Sequence, residues 1–507
     1  DLMEPDCGKR GFALCTRTVF AGGKNLLEID GAGVSGEVYF DGKLAGKLPY
    51  AYLPEKFLLD AGEFGEHRLT LILDNRHNLH FQPTFDFFAY GGVYGDIDIT
   101  PVPEKMLSNV RISTVDYASG RIRIQAEYSD PDAASVHLAF DTGYQTDVPL
   151  KNGVLDVALD LPGFKLWSVD SPALHRVMLS AGEDEVAETF GIREFKTEGR
   201  KFVLNGKPIK ILGVNRHEST PVTGAAVSPQ MTGYDLKLIK NAGFNFIRGC
   251  HYPQRKHTLE LCDRLGLLMW EETLSWGVKK DQFTLPEYRH GQLEQAAKMT
   301  MAGINHPCVV MRGFLNEFES DCEEARPVVK ELYDTIRALD PKTIITFASC
   351  MKTRDVCLDL VDAVCMNIYP GWYDSRFDSI STIDRIVPKI RELSGTFPKD
   401  KPYLLTEIGA GAPYGFRDSL KTYWSEEYQR DLVRTVLEHV VEDENCSGVV
   451  LWQFADCRTY VAGPNIYHRG RGFNDKGLID EYRRPKLAWH CALDFLKSYH
   501  QRKEGKK

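Results

Sequence analysis

The chain has 507 residues, 43% hydrophobic and 26% charged, the balance of a folded globular protein, which excludes disordered, collagenous and coiled-coil classes. Sixty-two basic against 71 acidic side chains leave a formal charge of −9, which argues against nucleic acid or an anionic membrane as a partner. No apolar run approaches the roughly 18 residues of a bilayer span. The 12 cysteines follow no C-x-x-C spacing, so reduced thiols and a cytoplasmic location are expected.

From the N-terminus to about residue 195, short β-type segments are separated by turn residues. Leu69, Leu71 and Leu73 fall at every second position of HRLTLIL, as do Ile122, Ile124 and Ala126 in RIRIQAE, and Asp41-Gly42 is a hairpin turn signal. This reads as two sandwich-like modules with a seam near Pro101-Val102-Pro103, where prolines interrupt ladder pairing. After residue 196, helical and strand patterns alternate. Apolar strand candidates fall at 209–214, 244–248, 267–270, 309–315, 343–348, 363–368, 403–406 and 448–452, with helix-like stretches such as ARPVVKELYDTIRAL and EYQRDLVRTVLEHVV between them. Eight such units over the last 300 or so residues predict a (β/α)8 barrel. The dinucleotide G-x-G-x-x-G and the P-loop are both missing.

A barrel does its chemistry at the C-terminal ends of its strands. The residues there are Arg216-His217-Glu218, Arg248 followed by His251, Glu271-Glu272, Asn316-Glu317, Ser349, Asn367 with Tyr369, Glu407, and Trp452 followed by Asp456. One polar strand end is ordinarily a solvated or satisfied group; recurrence around the ring points to a site. Glu317 after the fourth strand and Glu407 after the seventh would face each other across the mouth. Two carboxyls so placed can hydrolyse a glycoside, by retention at a separation of about 5–5.5 Å or by inversion at about 6.5–9.5 Å. His217 and Glu218 have no further ligand at helical or finger spacing, so no metal site is expected, and the chemistry needs no cofactor.

At this point the sequence resembles glycoside hydrolase family 2, and within it the β-glucuronidases, over nearly its whole length. The resemblance is carried by Asp86 to Tyr94 (DFFAYGGVY), Phe190-Gly191-Ile192-Arg193, Leu204 to Pro208 (LNGKP), Gly213 to Glu218 (GVNRHE), Asn305-His306-Pro307, Asn316-Glu317, Asn367 to Tyr373 (NIYPGWY), Trp424 to Gln429 (WSEEYQ) and Asn474-Asp475-Lys476. It implies a multidomain β plus α/β chain. Residues 1–102 form a jelly-roll-like sugar-binding sandwich, shortened at its start, residues 103–195 an immunoglobulin-like β-sandwich, and residues 196–507 a catalytic TIM barrel. It further implies Glu317 as general acid/base, Glu407 as nucleophile, Asn316 on the sugar 2-hydroxyl, Asp86 on ring hydroxyls, and Asn474 with Lys476 on the carboxylate of a hexuronic acid. An ammonium and an amide suit that anion because charge-assisted hydrogen bonds are the strong ones. His251, Asn367, Tyr369, Tyr373 and Trp452 are expected to line the sugar, with Arg469 and Arg471 adding positive field. A β-hexuronide conjugate or oligosaccharide is then the substrate, and a homo-oligomer the expected assembly.

One departure bears on specificity. Where β-glucuronidases carry Trp in the fourth strand, this chain has Arg312, whose planar fork of donors would re-read the C6 group or the C4 configuration and favour a β-galacturonide over a β-glucuronide. The bland alternative is that Arg312 pairs with a neighbouring barrel carboxylate. Two rivals remain beside the hexuronidase reading: a neutral-sugar β-galactosidase, which Asn474 and Lys476 argue against, and a non-catalytic carbohydrate-binding protein, which the intact carboxylate pair argues against.

Overall fold

The computed structural model describes residues 10–82, 86–88, 90–373, 383–459 and 469–505. Two pairs of antiparallel sheets come first. A four-stranded sheet in the order Phe12–Ala21, Gly65–Asp74, Ser35–Phe40, Lys43–Leu48 shares a core with a three-stranded sheet in the order Glu55–Asp60, Lys24–Ile29, Ile97–Pro101. Leu69, Leu71 and Leu73 point inward with Leu27, Ile29 and Val38, the period of two that a half-buried strand requires. Asp41 and Gly42 both take positive φ (49° and 76°) between two paired strands, the conformation that a two-residue hairpin turn demands.

The strand at Ile97–Pro101 ends on the first proline of the expected seam, and the next sheet opens at Leu107. Here a three-stranded sheet (Leu107–Asp116, Arg121–Tyr128, Val154–Asp160) and a four-stranded sheet (Gln145–Pro149, Ser135–Phe140, His175–Ala181, Asp184–Phe190) bury Ile122, Ile124, Ala126, Val136, Leu138, Val177 and Leu179 between them.

The barrel strands are, in chain order, Ile211–Arg216, Phe246–Gly249, Leu268–Glu272, Val309–Gly313, a fifth in two pieces, Val364–Asn367, Tyr403–Ile408 and Gly448–Leu451. All pair in parallel, and the eighth pairs back with the first. The fifth is broken at Phe347: Ile344–Thr346 pairs with the fourth strand and Ala348–Ser349 with the sixth, which carries the ring around. All eight predicted strands are present to within a few residues. Every residue of the first, third, fourth and seventh strands is buried, as expected for strands covered on both faces.

The helices follow from their patterns. Ala325–Leu339 buries Ala325, Val328, Val329, Leu332 and Ile336, one stripe at three-to-four spacing; each such apolar side chain contributes about 1.5–3 kcal/mol. Glu426–Glu442 starts at Ser425, whose hydroxyl accepts from the Tyr428 amide, with Glu426 and Glu427 in the first turn, where carboxylates complement the helix dipole. The fifth connection differs from the expected β/α repeat. Only two single 3-10 turns, Lys352–Arg354 and Leu358–Leu360, link the fifth strand to the sixth.

The first pair of sheets reaches the barrel mouth through its loops. Tyr52 stacks on Tyr252 at 3.9 Å between ring centroids, Phe87 lies 5.0 Å from His217, and the Tyr94 carbonyl accepts from Arg255. That contact delivers Asp86 to the barrel.

Candidate active site

Arg248, at the end of the second strand and fully buried, is the hub. Its Nη1 donates to Glu407 Oε1 (2.7 Å) and Asn215 Oδ1 (3.1 Å), and its Nη2 to Glu272 Oε1 (2.9 Å) and Asn316 Oδ1 (2.8 Å). Glu407 receives a second donor, the Tyr369 hydroxyl, at 2.7 Å on Oε2. Both carboxylate oxygens are therefore fixed by groups on the second and sixth strands. Burial and the Glu407 charge push the Tyr369 pKa well above its ordinary value, so this hydroxyl stays a donor.

Glu317 is presented by an unusual backbone. Leu315 and Glu317 both have φ of 51°, the left-handed region that side-chain-bearing residues occupy at a cost and that clusters at functional sites. Its Oε1 accepts from Asn367 Nδ2 (3.0 Å), the same amide that donates to Asn316 Oδ1 (3.1 Å), while Thr406 Oγ1 donates to Asn367 Oδ1 (2.7 Å). The Glu317 pKa is raised to about 8, first by burial and second by the charge of Glu407. From the sequence, Glu407 is the expected cause; burial outranks it. At neutral pH Glu317 carries its proton.

The Asn316 side chain is oriented by its neighbours. Oδ1 accepts from two donors, which leaves Nδ2 as a buried donor with no partner among the described residues. A buried amide without a partner is costly, and a ligand hydroxyl would satisfy it. His251, Trp452, His217 and Phe87 form an adjoining wall: His251 stacks on Trp452 at 5.3 Å, and His217 meets both at 5.5 and 5.7 Å. Gly409 makes the wall possible, because a Cβ there would lie 2.1 Å from the Trp452 carbonyl oxygen.

A second set of charges stands beside the pair. Asp86, from the N-terminal sheets, accepts from Arg469 Nε (2.8 Å), from Arg469 Nη2 and from Asn474 Nδ2 (3.1 Å). Lys476 Nζ donates to Tyr373 (2.9 Å), with Arg469 on the same hydroxyl at 3.3 Å. Lys476 also lies 5.6 Å from the Tyr369 ring centroid, so this set adjoins the tyrosine that holds Glu407. Burial, then Arg469, push the Lys476 pKa below its ordinary value.

Eleven of the predicted site residues, Asp86, His251, Asn316, Glu317, Asn367, Tyr369, Tyr373, Glu407, Trp452, Asn474 and Lys476, thus fall into one connected group. Two do not. Arg312 is a correction: its guanidinium pairs with Glu271 (3.4 Å) and with Asp340 (3.3 Å) beyond the last turn of a barrel helix, fully buried on the helix side of the fourth strand. Arg471 is the other: it binds Asp475 (2.8 Å) and Glu481 (3.1 Å), half exposed. The cation beside Asp86 is Arg469. Arg248, the hub, was visible only as a polar strand end. Glu218 is also spoken for, held by Arg255 and Arg216; burial alone would raise its pKa, and these two cations bring it down to about 2. The absence of metal-ligand spacing also needs amending: folding brings His217 beside Cys250 and His251.

A closed parallel barrel with a proton-bearing glutamic acid and a clamped glutamate at its mouth defines a glycoside hydrolase. Residues 195–497 match the model of the glycosyl hydrolases family 2 TIM barrel domain, and the chain belongs to that family. A solved family 2 β-galacturonidase from Eisenbergiella tayi, bound to galacturonate, superposes with a TM-score of 0.89 at 32% identity, over 98% of this chain and 91% of that one. Among curated proteins, the β-glucuronidase of Streptococcus agalactiae is 27% identical over 89% of this chain and 81% of its own length, and that of Sus scrofa 28% over 87% and 72%. Among the described residues, no helix is long and apolar enough to cross a membrane.

Proposed function

We propose that the protein is a retaining exo-β-hexuronidase. The observation that carries this reading is the buried ammonium of Lys476 beside the tyrosine that holds Glu407, with the buried Asn474 amide in the same group. Taking an ammonium out of water is costly unless an anion joins it, and the downward shift of Lys476 is that cost. The C6 carboxylate of a hexuronic acid, held by Lys476 and the Asn474 amide, is such an anion. A neutral hexose is not.

With the carboxylate so held, Glu407, oriented by Arg248 and Tyr369, attacks the anomeric carbon. The bond to the leaving oxygen breaks as Glu317 donates its proton to that oxygen, and a glycosyl ester forms on Glu407. Glu317, now ionised, takes a proton from water; the water oxygen attacks the anomeric carbon and Glu407 leaves as the carboxylate. Asn316 Nδ2 donates to the 2-hydroxyl, and His251 and Trp452 wall the ring.

Between the epimers, our reading is galacturonate. Arg469 holds both oxygens of Asp86, so the group placed to read ring hydroxyls is turned and partly spent, and a cation stands next to it. The relative bound to galacturonate also has higher identity than the glucuronidases described above. Hydrolysis of p-nitrophenyl β-D-galacturonide followed by proton NMR, with the glucuronide run alongside, tests both points. The β-anomer of galacturonate is expected first, and the glucuronide is expected to turn over more slowly. The α-anomer appearing first would overturn retention, and faster turnover of the glucuronide would overturn the epimer assignment.

A further inference from the structure

The wall of the sugar site has a second chemistry. One ligand atom from each of His217, Cys250 and His251 lies within 4.8 Å of the other two, and all three side chains are buried. Each histidine is arranged as a ligand. His251 Nδ1 lies 2.8 Å from Glu272 Oε1 and 3.2 Å from Arg248 Nη2, and Glu272 is itself held by Arg248; with the Nδ1 proton given to the carboxylate, the shorter of the two contacts, Nε2 keeps its lone pair, the usual support of a metal-binding histidine. His217 Nδ1 lies 3.3 Å from the Tyr252 hydroxyl, and its Nε2 is buried with no partner among the described residues.

We propose that His217, Cys250 and His251 bind a zinc(II)-class ion that competes with the sugar. Two imidazoles and a thiolate are the borderline-soft set such an ion takes. Bonds of about 2.0–2.3 Å in a tetrahedron place ligand atoms roughly 3.5 Å apart, so a small inward movement of the three side chains suffices. Cys250 gives its thiol proton to solvent as the bond to sulfur forms. The fourth position is left for water or a sugar hydroxyl, and the ion stands against Trp452, where the ring is to lie. The effect on turnover rests on the hexuronidase reading; the binding stands without it.

Two measurements on the full chain separate these. Titration with Co2+ alone is expected to give a thiolate-to-metal charge-transfer band that saturates at one ion per chain, and C250S is expected to abolish it. Zn2+ is expected to raise KM for the hexuronide with kcat unchanged, reversibly on adding EDTA. C250S, compared with itself at zero metal, is expected to need about 10–100-fold more Zn2+ for the same inhibition. Should C250S not fold, C250A is the second variant, with the same outcomes. No charge-transfer band, or equal Zn2+ sensitivity in wild type and variant, overturns the site. A fall in kcat with KM unchanged overturns competition with the sugar. A protein that binds Co2+ through Cys250 yet hydrolyses no hexuronide upholds the metal site and sinks the hexuronidase reading.

Discussion

Glu317 carries its proton at neutral pH because it is buried beside a second carboxylate, and in the acid/base role proposed for it a pKa of about 8 predicts where activity ends in alkali. The active form is protonated, so kcat/KM should be sustained below pH 8 and fall above it. An alkyl hexuronide is the right substrate, since a poor leaving group needs the proton. E317Q should lose about 10²–10⁴ of the rate on that substrate and lose the alkaline limb with it. A limb unchanged in E317Q would assign it to another group. The two glutamates and Asn316 are legible from sequence because they end strands whose apolar runs are unmistakable. Arg248 is not: its role comes from touching Glu407, Glu272 and Asn316, which lie 159, 24 and 68 residues away. Arg469 and Arg471 are two residues apart in the same polar segment, and nothing in the sequence says which one meets Asp86.

At the scale of the element, the strand explains both what was readable and what was not. Successive residues of a strand face opposite sides, so Glu271 and Glu272 part company: Glu272 turns inward to Arg248, and Glu271 turns outward to Arg312, its register partner on the fourth strand. Knowing that Arg312 ends a strand does not say which face it takes; the register does. Its substitution should therefore act on stability alone. Arg312→Met leaves Glu271 buried without its cation and should cost about 3 kcal/mol, read by denaturant unfolding, while kcat/KM per folded molecule stays within about twofold. A large loss of kcat/KM at unchanged stability would return Arg312 to the sugar. The missing fifth helix is the same lesson in the other direction: an apolar strand predicts the next strand, but the link between them is set by length and packing.

Over the whole molecule, an acidic chain of net charge −9 sets two of its buried cations, Arg469 and Lys476, together at one place, the end of the pocket. That place is made only when the N-terminal sheets bring Asp86 to the barrel through Phe87, Tyr52 and Tyr94, which is why neither part holds the site alone. The direct test compares kcat/KM for p-nitrophenyl β-D-galacturonide and p-nitrophenyl β-D-galactoside, which differ only in the C6 group. Two charge-assisted hydrogen bonds from Lys476 and Asn474 are worth about 3 kcal/mol or more together, so the uronide should be preferred by about 100-fold or more, and K476A should remove most of that preference. A galactoside turned over as well as the uronide, or a preference that survives K476A, would contradict the account.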